Sequence, residues 1–199
     1  MLSIGITGGM GSGKSICCEI FSSLGVPVYN ADKRGKLILE ESPSAREQLI
    51  REFGEDIYFQ DTHLDRKKLS ALVFNNMMKL KALEAIVHPA VKEDFESFRR
   101  LHFTSQYIVK EAALLYESGT YKDLDKIIVV DAPLALRIER IKSRDGFSEK
   151  DIMARIEKQW PDEKKRAMAD YIILNDNKDL VLPQVLHLHH QFMLHGLMA

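Results

Sequence analysis

The sequence predicts a three-layer α/β fold in which a five-stranded parallel sheet lies between helices. Short apolar runs rich in β-branched and aromatic residues alternate with longer segments of helical periodicity. This alternation is typical of a parallel sheet covered by helices. The length of 199 residues and the hydrophobic content of 45% fit one such domain with a complete core.

Five runs are predicted to form the buried strands, because each is short and ends at a polar residue, Gly or Pro. They are Leu2 to Thr7, Val26 to Asn30, Tyr107 to Glu111, Ile127 to Asp131 and Tyr171 to Asn175. The predicted helical segments are Lys14 to Leu24, several from Lys33 to Leu101, Pro133 to Ser143, Ser148 to Met168, and Leu180 to Leu194.

The spacing of the strands predicts two additions to the core. The interval 32–106 is far longer than the dozen or so residues that a crossover between parallel strands needs, so we expect a helical substrate-binding insertion there. The interval 137–168 is rich in charge, with Arg137, Arg140 and Arg144 on one helical face, and is predicted to be a mobile helical lid. The core then consists of 1–31, 107–136 and 169–199.

Charge and cysteine content exclude several classes of protein. Lys and Arg number 28 against 29 Asp and Glu, so no overall attraction to nucleic acid or anionic membranes is expected. Cys17 and Cys18 are adjacent, which excludes the disulfide framework of a secreted domain and favours a packing role. No apolar run reaches the roughly 20 residues of a membrane span, and the first residues lack a basic signal region. We therefore expect a cytoplasmic protein, a monomer or weak homo-oligomer, without nucleic-acid or membrane partners.

The first predicted strand leads directly into a glycine-rich motif. Gly8-Gly9-Met10-Gly11-Ser12-Gly13-Lys14-Ser15 fits the pattern G-x-x-x-x-G-K-[ST], and its last residues open an amphipathic helix. Glycines let backbone N–H groups converge on phosphate oxygens, and the helix N-terminus adds its positive dipole end. Lys14 would bridge the β- and γ-phosphates, and Ser15 would offer its hydroxyl to Mg²⁺. The motif predicts nucleotide binding by a P-loop NTPase fold.

A phosphate loop alone is compatible with GTPases, ATP-driven machines and small-molecule kinases. The string Asn177-Lys178-Asp179-Leu180 does not match the N-K-x-D segment that reads guanine, and we interpret it as the start of a helix. A mechanical ATPase usually has a longer chain. An inserted helical unit and an arginine-bearing lid favour a kinase that closes over two small substrates and excludes water.

Acidic residues lie at the ends of three of the predicted strands or just after them, at the edge where open α/β sheets bind ligands. Asp32 is either the base that orients an acceptor hydroxyl or the N-cap of the next helix, and its position alone leaves both open. Glu111 and Asp131 compete for a supporting role at Mg²⁺. Glu111 is favoured, because the third strand usually neighbours the first in P-loop folds.

Nearly the whole chain resembles the dephospho-CoA kinase family. The matching pieces are Thr7 to Ser15, Asn30-Ala31-Asp32, Leu64-Asp65-Arg66 with Leu69 and Phe74, Leu83-Glu84-Ala85-Ile86-Val87-His88-Pro89, Leu114-Leu115-Tyr116-Glu117-Ser118-Gly119, Arg140 with Arg144-Asp145-Gly146, Arg155 with Gln159, and Ala169-Asp170 with Asn175. The His88-Pro89 and Leu-Leu-aromatic-Glu pieces are specific to this family in combination with the phosphate loop.

The resemblance implies transfer of a phosphoryl group from ATP to the ribose 3'-hydroxyl of dephospho-CoA, the last step of coenzyme A biosynthesis, with Mg²⁺ as cofactor. Asp32, Lys14 and Arg140 would be catalytic, and Ser15 and Glu111 would serve the metal. The implied acceptor-binding residues are Asp32, Arg66, His88, Glu117 and Arg155. The implied ATP-binding residues are Gly8, Gly9, Met10, Gly11, Ser12, Gly13, Lys14, Ser15, Ile16, Arg144 and Asn175.

The chain departs from the family pattern at a few positions. Ile16 stands where the family commonly has Thr, Ala113 where Pro often precedes Leu-Leu, and Glu111 where the family varies between an acid and an apolar residue. The C-terminal histidines match no family motif, and we interpret them as the polar side of a final helix, with metal binding as the lesser alternative. They are His187, His189, His190 and His195.

Two other functions stay open at this point. A nucleoside or nucleotide monophosphate kinase shares the layout of loop, insertion and lid. A nucleotide-dependent switch that recruits a partner is the alternative from another class, although the chain has no recognisable switch or base-reading segment.

Overall fold

The computed structural model describes residues 1–59, 63–74 and 76–196, with side chains described up to residue 194. Its centre is a five-stranded, fully parallel sheet in the order β2-β3-β1-β4-β5. The strands are β1 (Leu2–Thr7), β2 (Val28–Asn30), β3 (Tyr107–Glu111), β4 (Lys126–Asp131) and β5 (Tyr171–Leu174). The predicted sheet is therefore confirmed. Strand β2 begins later than predicted, because Pro27 has no N–H to donate to a ladder.

Both faces of the sheet are covered. Helices α1 (Lys14–Ser23) and α9 (Val181–Gly196) pack against one face, where Ile4 and Ile6 of the central strand β1 are completely buried. Gly5 faces the other side, and a side chain there would lie 2.7 Å from Leu115 and 2.8 Å from Leu124. The position of β1 at the centre places the residues that follow it between the ends of β3 and β4.

Three short helices lie between β4 and β5. They are α6 (Leu134–Asp145), α7 (Glu149–Ile156) and α8 (Asp162–Ala167). The helical segment predicted from Ser148 to Met168 consists of two helices, α7 and α8. Pro161 lies directly before α8 and disfavours a helical conformation of the residue that precedes it. Gly146, with a φ of 69°, ends α6.

The chain divides into two compact units, one made of Met1–Asn30 with His102–Ala199 and the other of Ala31–Leu101. The second unit is helical and has its own core, which includes Leu49, Ile57 and Leu69. Its helices are α2 (Ala31–Glu41), α3 (Pro43–Phe53), α4 (Arg66–Phe74) and α5 (Met77–Leu101), with a 3-10 turn at Glu55–Ile57. None of the described helices combines the length and the apolar character needed to cross a bilayer.

Candidate active site

The glycine-rich motif forms the loop between β1 and α1. Gly13 directly precedes α1 with a φ of 94°, a backbone conformation that favours glycine. A side chain at Gly13 would also place its first carbon 2.1 Å from Nδ2 of Asn175. The backbone N–H of Ser12 donates to the carbonyl of Gly9 at 3.1 Å, which closes the loop on itself. The loop therefore brings its backbone N–H groups next to the N-terminus of α1, which is the positive end of the helix dipole. This arrangement is suited to binding an anion.

Lys14 lies along this loop. Its Nζ donates hydrogen bonds to the carbonyl oxygens of Gly8 at 3.0 Å and of Gly9 at 3.2 Å. The ammonium charge and the helix dipole therefore act at the same place, which favours the binding of phosphate groups.

The side chain of Arg137, from α6, is buried against Gly9 of the phosphate loop. Its side chain is only 2% exposed, and its Nη2 lies 2.7 Å from Oδ2 of Asp162. The guanidinium covers Gly9 so closely that a side-chain carbon at Gly9 would lie 1.5 Å from Nη1. Sequence reasoning placed Arg137 only on a basic helical face, since no local pattern shows that this charge is buried.

Arg140 and Asn175 connect α6 and the end of β5 to the loop. Nη2 of Arg140 donates to the backbone carbonyl and to Oδ1 of Asn175, both at 3.1 Å, and to Oδ1 of Asn177 at 2.7 Å. Nδ2 of Asn175 donates to the carbonyl of Ser12 at 2.8 Å. Two residues that the sequence assigned to ATP binding and catalysis therefore lie next to the phosphate loop.

Three buried donors in this region make no hydrogen bond within the part of the chain that the structure describes. They are Ser12 Oγ, Arg137 Nε and Arg140 Nη1. Burying a polar group without a partner costs about 1–3 kcal/mol, so such groups are usually satisfied. Phosphate oxygens accept hydrogen bonds, two of these donors are cationic, and the set therefore suits a polyphosphate.

Gln159, which lies between α7 and α8, also contacts the loop. Its Oε1 accepts a hydrogen bond from the backbone N–H of Met10 at 2.9 Å, and its Nε2 donates to the carbonyl of Ala113 at 3.4 Å. From the sequence, Gln159 had no role beyond its match to the family. Its contact with Met10 joins residues that are 149 positions apart, so no local sequence pattern indicates it.

Glu117 forms an ion pair with Lys165, and both residues belong to the compact unit that contains the sheet. Its Oε1 accepts from the backbone N–H of Trp160 at 2.7 Å and lies 3.0 Å from Nζ of Lys165, whose side chain is completely buried. Its Oε2 is buried and makes no hydrogen bond to any described residue. Lys165 was missed because it lies in a charged run that resembles a solvated helix face.

Arg144 and Arg155, two further arginines that the resemblance assigned to the site, are exposed. Arg144 is 65% exposed and pairs with Asp145 at 2.8 Å, and this hydrogen bond lowers the pKa of the Asp145 carboxyl. The guanidinium of Arg155 lies 4.2 Å from the ring centroid of Phe147. In the structure neither side chain shares the loop contacts made by Arg137 and Arg140.

Three predicted site residues belong to the helical unit. Asp32 is exposed in the first turn of α2, which begins one residue earlier at Ala31, so it does not occupy the N-cap position considered from the sequence. Arg66, at the start of α4, pairs with Glu40 at 2.9 Å. His88 lies exposed on α5, directly before Pro89.

Oxygen donors suited to a hard divalent cation lie at the start of α1 and at the end of β3. Ser15 is exposed in the first turn of α1. The carboxylate of Glu111, at the end of β3, accepts a hydrogen bond from Nδ2 of Asn30. Asp131 ends β4 and accepts a hydrogen bond from Arg166 at 2.9 Å, which raises the pKa of Arg166. Both β3 and β4 flank β1, so sheet order alone does not separate Glu111 from Asp131.

The remaining sequence features are structural in character. Cys17 and Cys18 are buried in the sheet core, in agreement with the packing role expected of them. The segment before α9 is a turn, in which Oδ1 of Asp176 accepts from the backbone N–H groups of Lys178 and Asp179 at 2.9 Å.

The C-terminal histidines lie on α9. Nδ1 of His189 lies 2.7 Å from the hydroxyl of Tyr107, and His195 has its side chain outside the described residues. Within those residues, no group of three or more His, Cys, Asp or Glu side chains is arranged to hold a metal.

The chain is similar in sequence and in structure to known dephospho-CoA kinases. A sequence model of the dephospho-CoA kinase family matches residues 2–180. A dephospho-CoA kinase from Bacteroides fragilis is 37% identical over 187 residues, which is 94% of this chain and 91% of the relative. The crystal structure of TT1252 from Thermus thermophilus superposes with a TM-score of 0.84 at 34% identity, and covers 96% of both chains.

A second solved structure, dephospho-CoA kinase from Campylobacter jejuni, superposes with a TM-score of 0.73 at 29% identity and covers 98% of both chains. The matches in sequence and in structure extend over nearly the whole chain, from the phosphate loop through the helical unit to β5. The chain therefore belongs to the dephospho-CoA kinase family.

Proposed function

We propose that this protein catalyses the ATP-dependent phosphorylation of the ribose 3'-hydroxyl of dephospho-CoA, which gives coenzyme A and ADP. The observation that carries this conclusion is the match of residues 2–180 to the dephospho-CoA kinase family. The phosphate loop, the position of Lys14 and the unsatisfied cationic donors of Arg137 and Arg140 support ATP as the second substrate.

The chemistry assigned to the chain is a direct phosphoryl transfer. The bond between the γ-phosphorus and the oxygen that bridges to the β-phosphate breaks, a bond from the 3'-oxygen to the γ-phosphorus forms, and the hydroxyl proton passes to Asp32. Lys14 and Arg140 would stabilise the charge that spreads over the transferred group. The place of Asp32, two residues after the carboxyl end of β2, supports its role as the base.

Magnesium is the cofactor that this reaction implies. When bound, it neutralises charge on the β- and γ-phosphates. Ser15 and Glu111 would hold it, because a hydroxyl and a carboxylate are hard oxygen donors. Glu111 is favoured over Asp131, because the carboxylate of Asp131 pairs with the guanidinium cation of Arg166, whereas Glu111 accepts a hydrogen bond from the neutral amide of Asn30.

Acceptor binding is assigned to Asp32, Arg66, His88, Glu117 and Arg155. Arg66 would pair with a phosphate of dephospho-CoA, since a guanidinium binds phosphate with two parallel hydrogen bonds. Oε2 of Glu117 is a buried acceptor without a protein donor among the described residues, so it can receive a hydrogen bond from the ribose or adenine.

ATP binding is assigned to the phosphate loop with Ile16, Arg144 and Asn175. The cytoplasmic location and the monomeric or weakly oligomeric state stay predictions.

The test is an acceptor panel. The purified protein is incubated with ATP and Mg²⁺ together with dephospho-CoA, a nucleoside, or a nucleoside monophosphate, and ADP release is followed. We expect acceptor-dependent ADP release with dephospho-CoA and a new 3'-phosphate in the ³¹P spectrum of the product. Inert dephospho-CoA with rapid phosphorylation of a nucleoside or its monophosphate would contradict the proposal, as would slow ATP hydrolysis that no acceptor accelerates.

A further inference from the structure

One peptide group of the phosphate loop, the one that joins Gly9 to Met10, is held on both sides. Its carbonyl oxygen accepts hydrogen bonds from Nζ of Lys14 at 3.2 Å and from the N–H of Ser12 at 3.1 Å. Its N–H donates to Oε1 of Gln159 at 2.9 Å. Because a peptide group is planar, its oxygen and its N–H cannot turn independently. The group that fixes the N–H of Met10 therefore also fixes an oxygen that Lys14 uses.

Gln159 is itself anchored at its other end. Its Nε2 donates to the carbonyl of Ala113 at 3.4 Å, and the hydroxyl of Thr7, the last residue of β1, donates to the same carbonyl at 3.4 Å. The backbone N–H of Gln159 donates to Ile156 at the end of α7 at 2.9 Å. The side-chain amide thus bridges the phosphate loop and the segment after β3, and both of its polar ends are engaged.

We propose that Gln159 is a positioning residue for phosphoryl transfer, which orients the peptide group between Gly9 and Met10 and thereby holds Lys14 at the phosphate site. Without the acceptor on Gln159, the N–H of Met10 loses its partner, and the peptide group is no longer held on both sides, so its plane can tilt about the remaining bonds to its oxygen. A tilt moves the carbonyl oxygen of Gly9 away from Nζ of Lys14 and weakens the hydrogen bond between them. Gln159 then acts on the reaction through Lys14 and makes no contact with the reacting atoms.

The test replaces Gln159 by a side chain of similar volume that cannot accept or donate a hydrogen bond from its end, Gln159→Met. The matched control is Glu157→Gln, an exposed residue of the same segment. Isothermal titration calorimetry measures the affinity for ADP, and steady-state kinetics give kcat and the KM for each substrate. We expect ADP affinity to fall about fivefold and kcat about tenfold. These are the losses expected when one hydrogen bond that helps to position the ammonium of Lys14 is removed. The KM for dephospho-CoA should stay within twofold of the control.

The kinetic part of this inference rests on the proposed function, whereas the ADP measurement does not need an acceptor. A variant that melts at a lower temperature but keeps the kcat and ADP affinity of the control would overturn the inference, because that is the behaviour of a merely structural residue. If Gln159→Met does not purify as a folded protein, Gln159→Asn is used, since its shorter amide cannot reach both Met10 and Ala113. We expect the same losses from it, and unchanged ADP affinity in Gln159→Asn would also overturn the inference. A wild-type protein inactive on dephospho-CoA, with weaker ADP binding in the variant, would contradict the proposed function alone.

Discussion

Nζ of Lys165 lies 3.0 Å from Oε1 of Glu117, and the lysine side chain of this pair is completely buried. The same Oε1 accepts from the backbone N–H of Trp160, so the carboxylate joins the segment after β3 to the start of α8. A buried ammonium is costly unless a counter-charge stays beside it. The pair therefore holds the segment that carries Gln159 close to the sheet.

The first prediction concerns this pair. Lys165→Met leaves the carboxylate of Glu117 buried without its cation, and Glu117→Gln leaves the ammonium without its anion. Each change should lower the free energy of unfolding by about 3–5 kcal/mol, and the double variant should lose less than the sum of the two. Urea unfolding measures all three. Lys142→Met, which breaks the exposed pair with Glu149, is the control and should lower the free energy of unfolding far less than either buried change. Equal losses in Lys165→Met and Lys142→Met would contradict the prediction.

The sequence was sufficient to predict the sheet and the phosphate loop because both depend on local patterns. Each strand is indicated by a short apolar run between segments of helical periodicity. The loop motif lies in one continuous stretch from Gly8 to Ser15. The surroundings of the loop were not predictable in the same way. Arg137, Gln159 and Lys165 lie in a charged segment that reads as solvent-exposed, and tertiary packing alone decides which of these side chains point inward. The break before α8 was readable from Pro161, and the sequence prediction missed it.

A second prediction uses the contact between Arg137 and Gly9. A side-chain carbon at Gly9 would lie 1.5 Å from Nη1 of Arg137, whose ion pair with Asp162 resists displacement. Gly9→Ala should therefore lower ADP affinity about tenfold or more, as measured by calorimetry. In an Arg137→Ala background the same change should cost much less, since the obstructing group is gone. Gly35→Ala is the control, because a carbon added there meets only Val91 and Val87 at 3.4 Å and 3.5 Å. Equal costs of Gly9→Ala in both backgrounds would refute the contact.

The third prediction concerns Lys14. Lys14→Ala removes the ammonium that lies on the carbonyl oxygens of Gly8 and Gly9. Because this charge should interact with the phosphates both before and during transfer, we expect ADP affinity to fall and kcat/KM for ATP to fall by about two orders of magnitude or more. Calorimetry and initial rates give the two quantities. An ordinary kcat/KM in this variant would rule out the assigned phosphate site.

The buried thiols supply a fourth prediction, on pH. Burial raises the pKa of Cys17 to about 12, and burial together with the charge of Glu111 raises the pKa of Cys18 further. An unfolded thiol ionises near pH 8.5, so the native state is favoured below that pH and loses this advantage as the pH rises toward 12. Cys17→Ala should therefore make the loss of unfolding free energy above pH 8.5 shallower by about 1.4 kcal/mol per pH unit. Native protein at pH 8 should leave both thiols unreacted with Ellman's reagent, and rapid labelling without denaturant would contradict their burial.

The last prediction addresses Asp32, the group assigned to take the proton of the 3'-hydroxyl. Asp32→Asn keeps the size and the hydrogen-bonding shape of the side chain and removes the negative charge that accepts the proton. Because the transition state for phosphoryl transfer is largely dissociative, the base contributes by orienting the hydroxyl as well as by accepting its proton. We expect kcat to fall by about two orders of magnitude or more. ADP affinity should stay within twofold, since this side chain has no assigned contact with the nucleotide phosphates.

Glu41→Gln provides the matched control for Asp32→Asn. It removes one negative charge from the same helix, α2, at an exposed position. A general change in charge or in helix stability would affect both variants alike, whereas loss of the base affects only Asp32→Asn. Calorimetry with ADP and initial rates with ATP and dephospho-CoA separate nucleotide binding from turnover. If Asp32→Asn turns over as fast as Glu41→Gln, the base is another group and the reaction does not depend on this carboxylate.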